Sequence, residues 1–174
     1  MELINRIDYG VFNFINNYIR SNLLDFFMIK ISSLGNSGFI WICFAAAFLI
    51  NKKYRKTGCI LSIGLLTYLI FGELLLKNLV ARSRPDFSIA LNVKIPKSYS
   101  FPSGHTTSSV LSCLIISKYI KKLRFIVIPL GILISISRFY IGVHYFSDVA
   151  GGVILGLIIY YITVYIGHKF GLDQ

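Results

Sequence analysis

The chain has 174 residues and a formal net charge of +11, with 55% hydrophobic and 14% charged residues. Because charged residues make up about a quarter of soluble globular domains, this composition excludes an ordinary soluble domain and predicts an integral membrane protein. The length predicts a single domain over residues 1–174. The cations stand in short clusters between apolar runs rather than on one basic face, which argues against nucleic acid as a partner.

Residues 1–20 show the helical spacing of an amphipathic helix, with apolar residues at Leu3, Ile4, Ile7 and Val11. We therefore expect an N-terminal helix that lies at the membrane interface. The segment 21–33 is short and polar for a membrane span. It is either a short first span or a continuation of that helix.

Five clearer apolar runs follow and predict membrane-spanning helices. Their approximate ranges are 34–50, 58–76, 104–120, 123–140 and 148–167. The predicted fold class is all-α integral membrane: a bundle of about six transmembrane helices with an N-terminal interfacial amphipathic helix.

Lysine and arginine in the short loops predict the sidedness of the chain. The clusters at 51–56 and 118–124 belong in the cytoplasm, which places loops 77–103 and 138–147 together on the outer face. The 77–103 loop nevertheless carries five cations, Lys77, Arg82, Arg84, Lys94 and Lys97, against one acid. Cations retained on that side indicate a task there, such as binding an anion.

The first polar group on this face is Lys77 to Pro85. Lys77 and Arg84 are seven residues apart and share a helix face if the helix continues past the membrane, until Pro85 ends it. Glu73 stands four residues before Lys77 and is placed to pair with it. The alternative is that these are ordinary cations at the end of a membrane helix.

The second group is Pro102, Ser103, Gly104 and His105, which precedes an apolar run. Ser103 suits a helix N-cap, and the first amides of a helix suit an anion such as phosphate. Gly104 lets the backbone approach a ligand closely, with His105 directed at the same anion. The alternative is a plain helix cap with an interfacial histidine.

The third group contains Arg138, His144 and Asp148. His144 and Asp148 are four residues apart, so a helical turn would let Asp148 fix the tautomer of the imidazole and make its other nitrogen a better base or nucleophile. The alternative is a capping aspartate beside an incidental histidine.

Taken together, three cations, two histidines and one carboxylate on one face suit phosphoryl transfer. The cations Lys77, Arg84 and Arg138 would neutralise phosphate oxygens, with the Ser103 and Gly104 amides assisting. A metal bound by His105, His144 and Asp148 is the competing chemistry, but three fixed cations would repel it.

The patterns Lys77-x6-Arg84-Pro85, Pro102-Ser103-Gly104-His105 and Ser137-Arg138-x5-His144-x3-Asp148 together resemble the three motifs of the type 2 phosphatidic acid phosphatase superfamily. The resemblance implies that His144 is the nucleophile and forms a phosphohistidine, that Asp148 orients it and that His105 is the general acid. It also implies a metal-independent reaction without cofactor, six spans, a site at the outer face and an N-terminus on the inner side.

The function expected from the residues and the resemblance is hydrolysis of a lipid phosphate or diphosphate in the bilayer, such as undecaprenyl diphosphate or phosphatidylglycerophosphate. The expected location is the cytoplasmic membrane, as a multi-pass protein with an extracytoplasmic site. A lipid phosphotransferase using the same intermediate, a lipid A phosphatase and a non-catalytic lipid-binding protein are the alternatives.

Overall fold

A computed structural model describes residues 2–86, 93 and 95–172, and its described part consists of helices and connecting turns without a strand. Lys94 of the predicted outer loop lies outside the described residues. The helices are α1 Glu2–Phe14, α2 Asn22–Leu34, α3 Phe39–Ile50, α4 Arg55–Tyr68, α5 Lys77–Val80, α6 Gly104–Tyr119, α7 Arg124–Tyr140 and α8 Phe146–Lys169. The π-helical stretch Leu69–Leu76 joins α4 to α5, and Ile15–Ile19 forms a π-helical turn after α1.

Three helices of the described chain are long and apolar enough to cross a membrane: Arg55–Val80, Lys121–Tyr140 and Phe146–Lys169. The pair Asn22–Leu34 and Asn36–Ile50 meets the same criteria together and is bent by 46° at its break. The protein is thus an all-helical membrane protein with three or four candidate spans, and the expected count of six is not confirmed.

Helix α2 is separate from α1, because Arg20 is extended and the Ser21 hydroxyl accepts a hydrogen bond from the Leu24 amide. This excludes the interpretation of residues 21–33 as a continuation of the first helix. Both ends of α2 contact the end of α7. Tyr140 donates to Asp25 at 2.7 Å, and Arg138 donates to Ser32.

The N-terminal segment therefore packs at the same end of the bundle as loop 138–147. Ile15 belongs to one buried apolar cluster with Tyr140, Ile141 and Val143, and Val11 packs against this cluster. The expectation that the N-terminus lies on the side opposite to this loop is wrong, because α2 does not carry the chain across the bundle. Whether α1 lies at a membrane interface stays a prediction.

Helix α6 is the centre of the bundle. Its Leu111, Ile115 and Ile116 are fully buried in the main apolar core. Gly152 and Gly156 of α8 face α6, where a Cβ would come 2.9 Å from the Ser103 carbonyl oxygen and 2.8 Å from Val110 Cβ, respectively. This close packing holds the start of α8 beside the start of α6.

The helix that carries Lys77 ends earlier than predicted. Ala81, with φ of 48°, adopts the left-handed conformation after Val80 and stops the helix. Arg84 therefore does not share a helix face with Lys77, and the predicted helix ending at Pro85 is wrong. The turn instead leads the chain back over the bundle, so that the Arg82 carbonyl accepts a hydrogen bond from the Ser100 amide at 2.8 Å.

Candidate active site

A cavity of about 980 Å³ opens at this end of the bundle. Most of the predicted site residues line it: Lys77, Arg84, Gly104, His105, Arg138 and His144. Ser103 and Asp148 do not line the cavity and are fully buried beneath it. The structure thus brings residues from four separate parts of the chain to one polar chamber.

His144 lies in the turn between α7 and α8 and is 2% exposed. Its Nδ1 is 3.4 Å from Asp148 Oδ2, within ion-pair distance but without a hydrogen bond, and its Nε2 is 3.1 Å from Arg84 Nη1. Since a guanidinium only donates, Nε2 must be the acceptor and carry the lone pair. The network therefore assigns the proton to Nδ1 and directs the basic nitrogen at the cavity.

The surroundings of His144 favour its neutral form. Burial, followed by the positive charges of Arg138, Arg84 and Lys77, holds the pKa of His144 well below its usual 6.5. A neutral imidazole keeps one unprotonated ring nitrogen at neutral pH, which a nucleophile or base requires.

Arg84 is fixed by backbone carbonyls. Its Nε donates to the Ser98 carbonyl and its Nη1 to the Val143 carbonyl, at 2.7 and 2.8 Å. Burial lowers the pKa of Arg84, although the charges of Asp148 and Glu73 act in the opposite direction. These contacts hold the guanidinium against His144 without neutralising it.

Arg138 and Lys77 complete a positively charged wall. Arg138 is 4% exposed, and its Nε has no hydrogen-bond partner among the described residues. Lys77 is 5% exposed and pairs with Glu73, as predicted, with Nζ 2.8 and 2.9 Å from the two carboxylate oxygens. Buried cations with unused donor capacity suit an anionic ligand such as phosphate.

His105 projects from the first turn of α6 into the cavity. Its Nε2 is 3.1 Å from Asn36 Oδ1, in the short 3₁₀ turn before α3. Gly35 leaves room for the ring, since a Cβ there would lie 2.6 Å from His105 Cδ2. Neither Gly35 nor Asn36 belongs to the sequence motifs. They lie beside His105 because the chain bends between α2 and α3.

The two residues before His105 differ from expectation. The Ser103 amide donates to the Asp148 carbonyl at 3.0 Å, so it is not free to bind phosphate in this structure. Ser103 does occupy the N-cap position of α6, but its hydroxyl accepts from Thr106 and does not cap an amide. Gly104 packs tightly, because a Cβ there would collide with Glu73 and with the Tyr68 hydroxyl.

A second polar cluster behind His144 was not predicted. Arg82 donates through Nη1 to Asp148 Oδ1 at 2.6 Å and through Nη2 to Asp8 Oδ2 at 2.8 Å. Asp8, from α1, also accepts from the Ser147 amide at 2.8 Å. Asp8 gives no sequence signal beyond being polar in an amphipathic helix, whereas Arg82 stands out as one cation of the outer loop.

The described residues contain no group of three or more His, Cys, Asp and Glu side chains arranged to hold a metal ion. His144 is instead faced by Arg84, Arg138 and Lys77, whose charges act on its pKa. These neighbours suit an anionic ligand.

Fold and site define a helical membrane protein with a cation-rich cavity that contains two histidines. The sequence matches the family model of the PAP2 superfamily over residues 56–172. The chain belongs to this superfamily, which confirms the resemblance of its three motifs.

Known relatives are lipid phosphatases by name. The chain is 34% identical over 161 residues to phosphatidylglycerophosphatase B of Bacillus subtilis, covering 83% of this chain and 76% of that one. It is also 34% identical to an undecaprenyl-diphosphatase of Sulfolobus acidocaldarius, over 86% of this chain and 74% of the relative. The crystal structure of a transmembrane PAP2-type phosphatidylglycerolphosphate phosphatase from B. subtilis aligns with a TM-score of 0.76 at 26% identity, covering 97% of this chain and 88% of that one.

Proposed function

We propose that this protein is a membrane lipid phosphatase that hydrolyses a phosphate or diphosphate ester of a lipid through a phosphohistidine at His144. The observation that carries the proposal is the arrangement around His144 Nε2, which faces the cavity as an acceptor beside the cations Arg84 and Arg138. Membership in a superfamily with phosphatase relatives supports the same reaction.

In the first step, Lys77, Arg84 and Arg138 bind the phosphate oxygens of the substrate. The lone pair of His144 Nε2 attacks phosphorus, and the bond between phosphorus and the leaving oxygen breaks. His105, which enters this step as the imidazolium, donates a proton to that oxygen, becomes neutral and releases the lipid alcohol or lipid phosphate. Asp148 faces Nδ1 and stabilises the positive charge that develops on the imidazole.

In the second step, water attacks the phosphorus of the phosphohistidine. The neutral His105 accepts a proton from this water, and the bond between phosphorus and Nε2 breaks. Inorganic phosphate leaves, and both histidines return to their starting states. The three fixed cations supply the charge stabilisation of both steps, and we propose that the reaction needs no metal and no cofactor.

A lipid substrate is supported by an apolar groove of about 310 Å³ next to the polar cavity. The groove shares Ser37, Gly38, Tyr68 and Leu69 with the cavity and continues along Ile42, Ala45, Leu65 and Leu66. A phosphate in the cavity would thus have a place for an attached chain between α3 and α4. Undecaprenyl diphosphate and phosphatidylglycerophosphate are the substrates we propose, by analogy with the named relatives.

We further propose that the cavity faces the extracytoplasmic side of the cytoplasmic membrane. Helices α3, α6 and α7 and the helical run from α4 to α5 join the cavity end of the bundle to the basic clusters 51–56 and 118–124. Short basic loops of this kind stay in the cytoplasm.

The test is phosphate release by the purified protein in detergent containing EDTA. The substrate panel is undecaprenyl diphosphate, phosphatidylglycerophosphate, phosphatidic acid and a lipid A phosphate. His144→Ala runs beside the wild type, and His168→Ala is the matched control because His168 lies at the far, exposed end of α8.

We expect release that survives chelation, disappears in His144→Ala and persists in His168→Ala. The ranking of the panel then identifies the substrate class. Activity that requires added metal, or that survives in His144→Ala, would contradict the mechanism. A phosphorylated acceptor in place of free phosphate would identify a phosphotransferase.

A further inference from the structure

Asp8 is a buried carboxylate that the proposed chemistry does not use. It is 2% exposed although it belongs to α1, whose apolar Leu3, Ile4 and Ile7 are largely exposed. A buried aspartate on a helix of this kind is costly unless it is paired and hydrogen-bonded. The burial of Asp8 therefore indicates that its carboxylate has a role among the groups that surround it.

Asp8 satisfies two groups at the start of α8. Its Oδ1 accepts from the Ser147 amide at 2.8 Å, and its Oδ2 accepts from the Ser147 hydroxyl at 2.6 Å. The first amides of a helix have no partner within the helix, so a carboxylate supplied by another helix acts as a cap. Asp8 thus anchors the turn from which Asp148 projects.

Asp8 also sets the orientation of Arg82. The guanidinium lies between two carboxylates that are both fully buried at the side chain, with Nη2 on Asp8 and Nη1 on Asp148. The Tyr145 ring supports the guanidinium at 4.0 Å from its centroid. Without Asp8, the fork of Arg82 loses the contact that keeps Nη1 directed at Asp148.

Arg82 in turn orders Asp148. Its Nη1 holds Oδ1 at 2.6 Å, and the Tyr145 amide holds Oδ2 at 3.0 Å, which leaves Oδ2 opposite His144 Nδ1. A continuous chain of contacts thus runs from α1 through Arg82 and Asp148 to the imidazole. The carboxylate orienting a catalytic histidine commonly depends on such outer contacts.

We propose that Asp8 is a positioning residue of the active site, acting through Arg82 and Asp148 on His144. This inference rests on the proposed function, because it assigns Asp8 a part in that reaction. Asp8 does not line the cavity. It makes α1 a component of the catalytic apparatus.

The test compares Asp8→Asn with Glu2→Gln, an exposed carboxylate on the same helix. Asn keeps the shape of the side chain and an oxygen for the Ser147 amide, but it loses the charge facing Arg82. We expect kcat to fall about tenfold with KM changed less than twofold, because the cations that bind phosphate are untouched. Asp8→Glu should recover part of kcat, and Glu2→Gln should equal the wild type.

A double-mutant cycle with Arg82→Gln checks the route. If Asp8 acts through Arg82, then adding Asp8→Asn to Arg82→Gln has little further effect on kcat. Wild-type kcat in Asp8→Asn would overturn the proposal, as would a loss matched by the fraction of misfolded protein in size-exclusion chromatography. Full additivity with Arg82→Gln would also overturn it. Absence of turnover in the wild type on every lipid would instead refute the proposed function.

Discussion

The replacement Gly35→Ala tests whether the position of His105 limits the reaction. Gly35 has φ of −85°, so alanine meets no backbone strain there. The new Cβ would lie 2.6 Å from His105 Cδ2 and 2.8 Å from Ile134 Cγ2. Ordinary carbon contacts are about 3.5–4.0 Å, so the imidazole must move by about 1 Å.

A shift of about 1 Å in a reacting group can reduce the rate about 100-fold, and a general acid is worth about 10² to 10⁴-fold. We therefore expect Gly35→Ala to slow release of a lipid alcohol in the first turnover by about 10 to 100-fold. The packing cost to stability should be about 1–3 kcal/mol. Nitrophenolate leaves without a proton, so its release from 4-nitrophenyl phosphate in the first turnover should change far less.

The assay is rapid-quench measurement of the first turnover with both substrates. Gly10→Ala is the matched control, because a Cβ at Gly10 meets nothing within 4 Å. Equal losses with the two substrates would show that the substitution acts through general disruption and would refute the role of His105. An unchanged rate with the lipid would refute the packing argument.

Three further predictions follow from neighbouring contacts. Glu73→Gln removes the carboxylate that pairs with Lys77. We therefore expect the inhibition constant of inorganic phosphate to fall about tenfold. An unchanged inhibition constant would contradict the assignment of Lys77 to the phosphate site. Because the pKa of His144 is lowered, its imidazole stays neutral as pH falls through 6.5. We therefore expect kcat/KM to decline only well below that pH. A midpoint of the kcat/KM profile at or above pH 6.5 would contradict this prediction. Gly156→Ala should destabilise the protein by about 1–3 kcal/mol in thermal unfolding, because the new Cβ would press on Val110. A melting temperature equal to that of the wild type would contradict this prediction and show that α6 and α8 adjust freely.

The sequence was sufficient to identify part of the cavity lining. Six of the eight predicted site residues line it, because the motifs place side chains with phosphate chemistry beside apolar runs whose ends must meet at one face. The pairing of Lys77 with Glu73 was also predictable, since residues four apart on a helix are neighbours.

Features that depend on tertiary contacts were not predictable. The left-handed turn at Ala81 ends the helix before Arg84, although alanine is a strong helix former. The Ser103 amide is bonded to Asp148 because α6 and α8 pack closely there. Periodicity gives no information on such pairings between distant segments.

The position of the N-terminal segment was likewise not predictable from the sequence. The six spans that the family resemblance implies place the N-terminus opposite the site, whereas Asp8 contacts Arg82 and Ser147 at the site end. The run 21–33 is too short to decide its own direction, and the contacts of Asp25 and Ser32 with the end of α7 determine it. Arg82, Asp8 and Asn36 were missed because their partners are far away in sequence.

The phosphohistidine is tested most directly with His105→Gln and 4-nitrophenyl phosphate. Nitrophenolate leaves without an acid, whereas hydrolysis of the intermediate needs the base, so the phosphoenzyme should accumulate. We predict a burst of about one nitrophenolate per active chain and a base-stable phosphoryl group on His144 by mass spectrometry. Neither should appear when His144→Ala is added. Turnover without a burst, or a phosphoryl group on another residue, would contradict the assignment of His144 as the nucleophile.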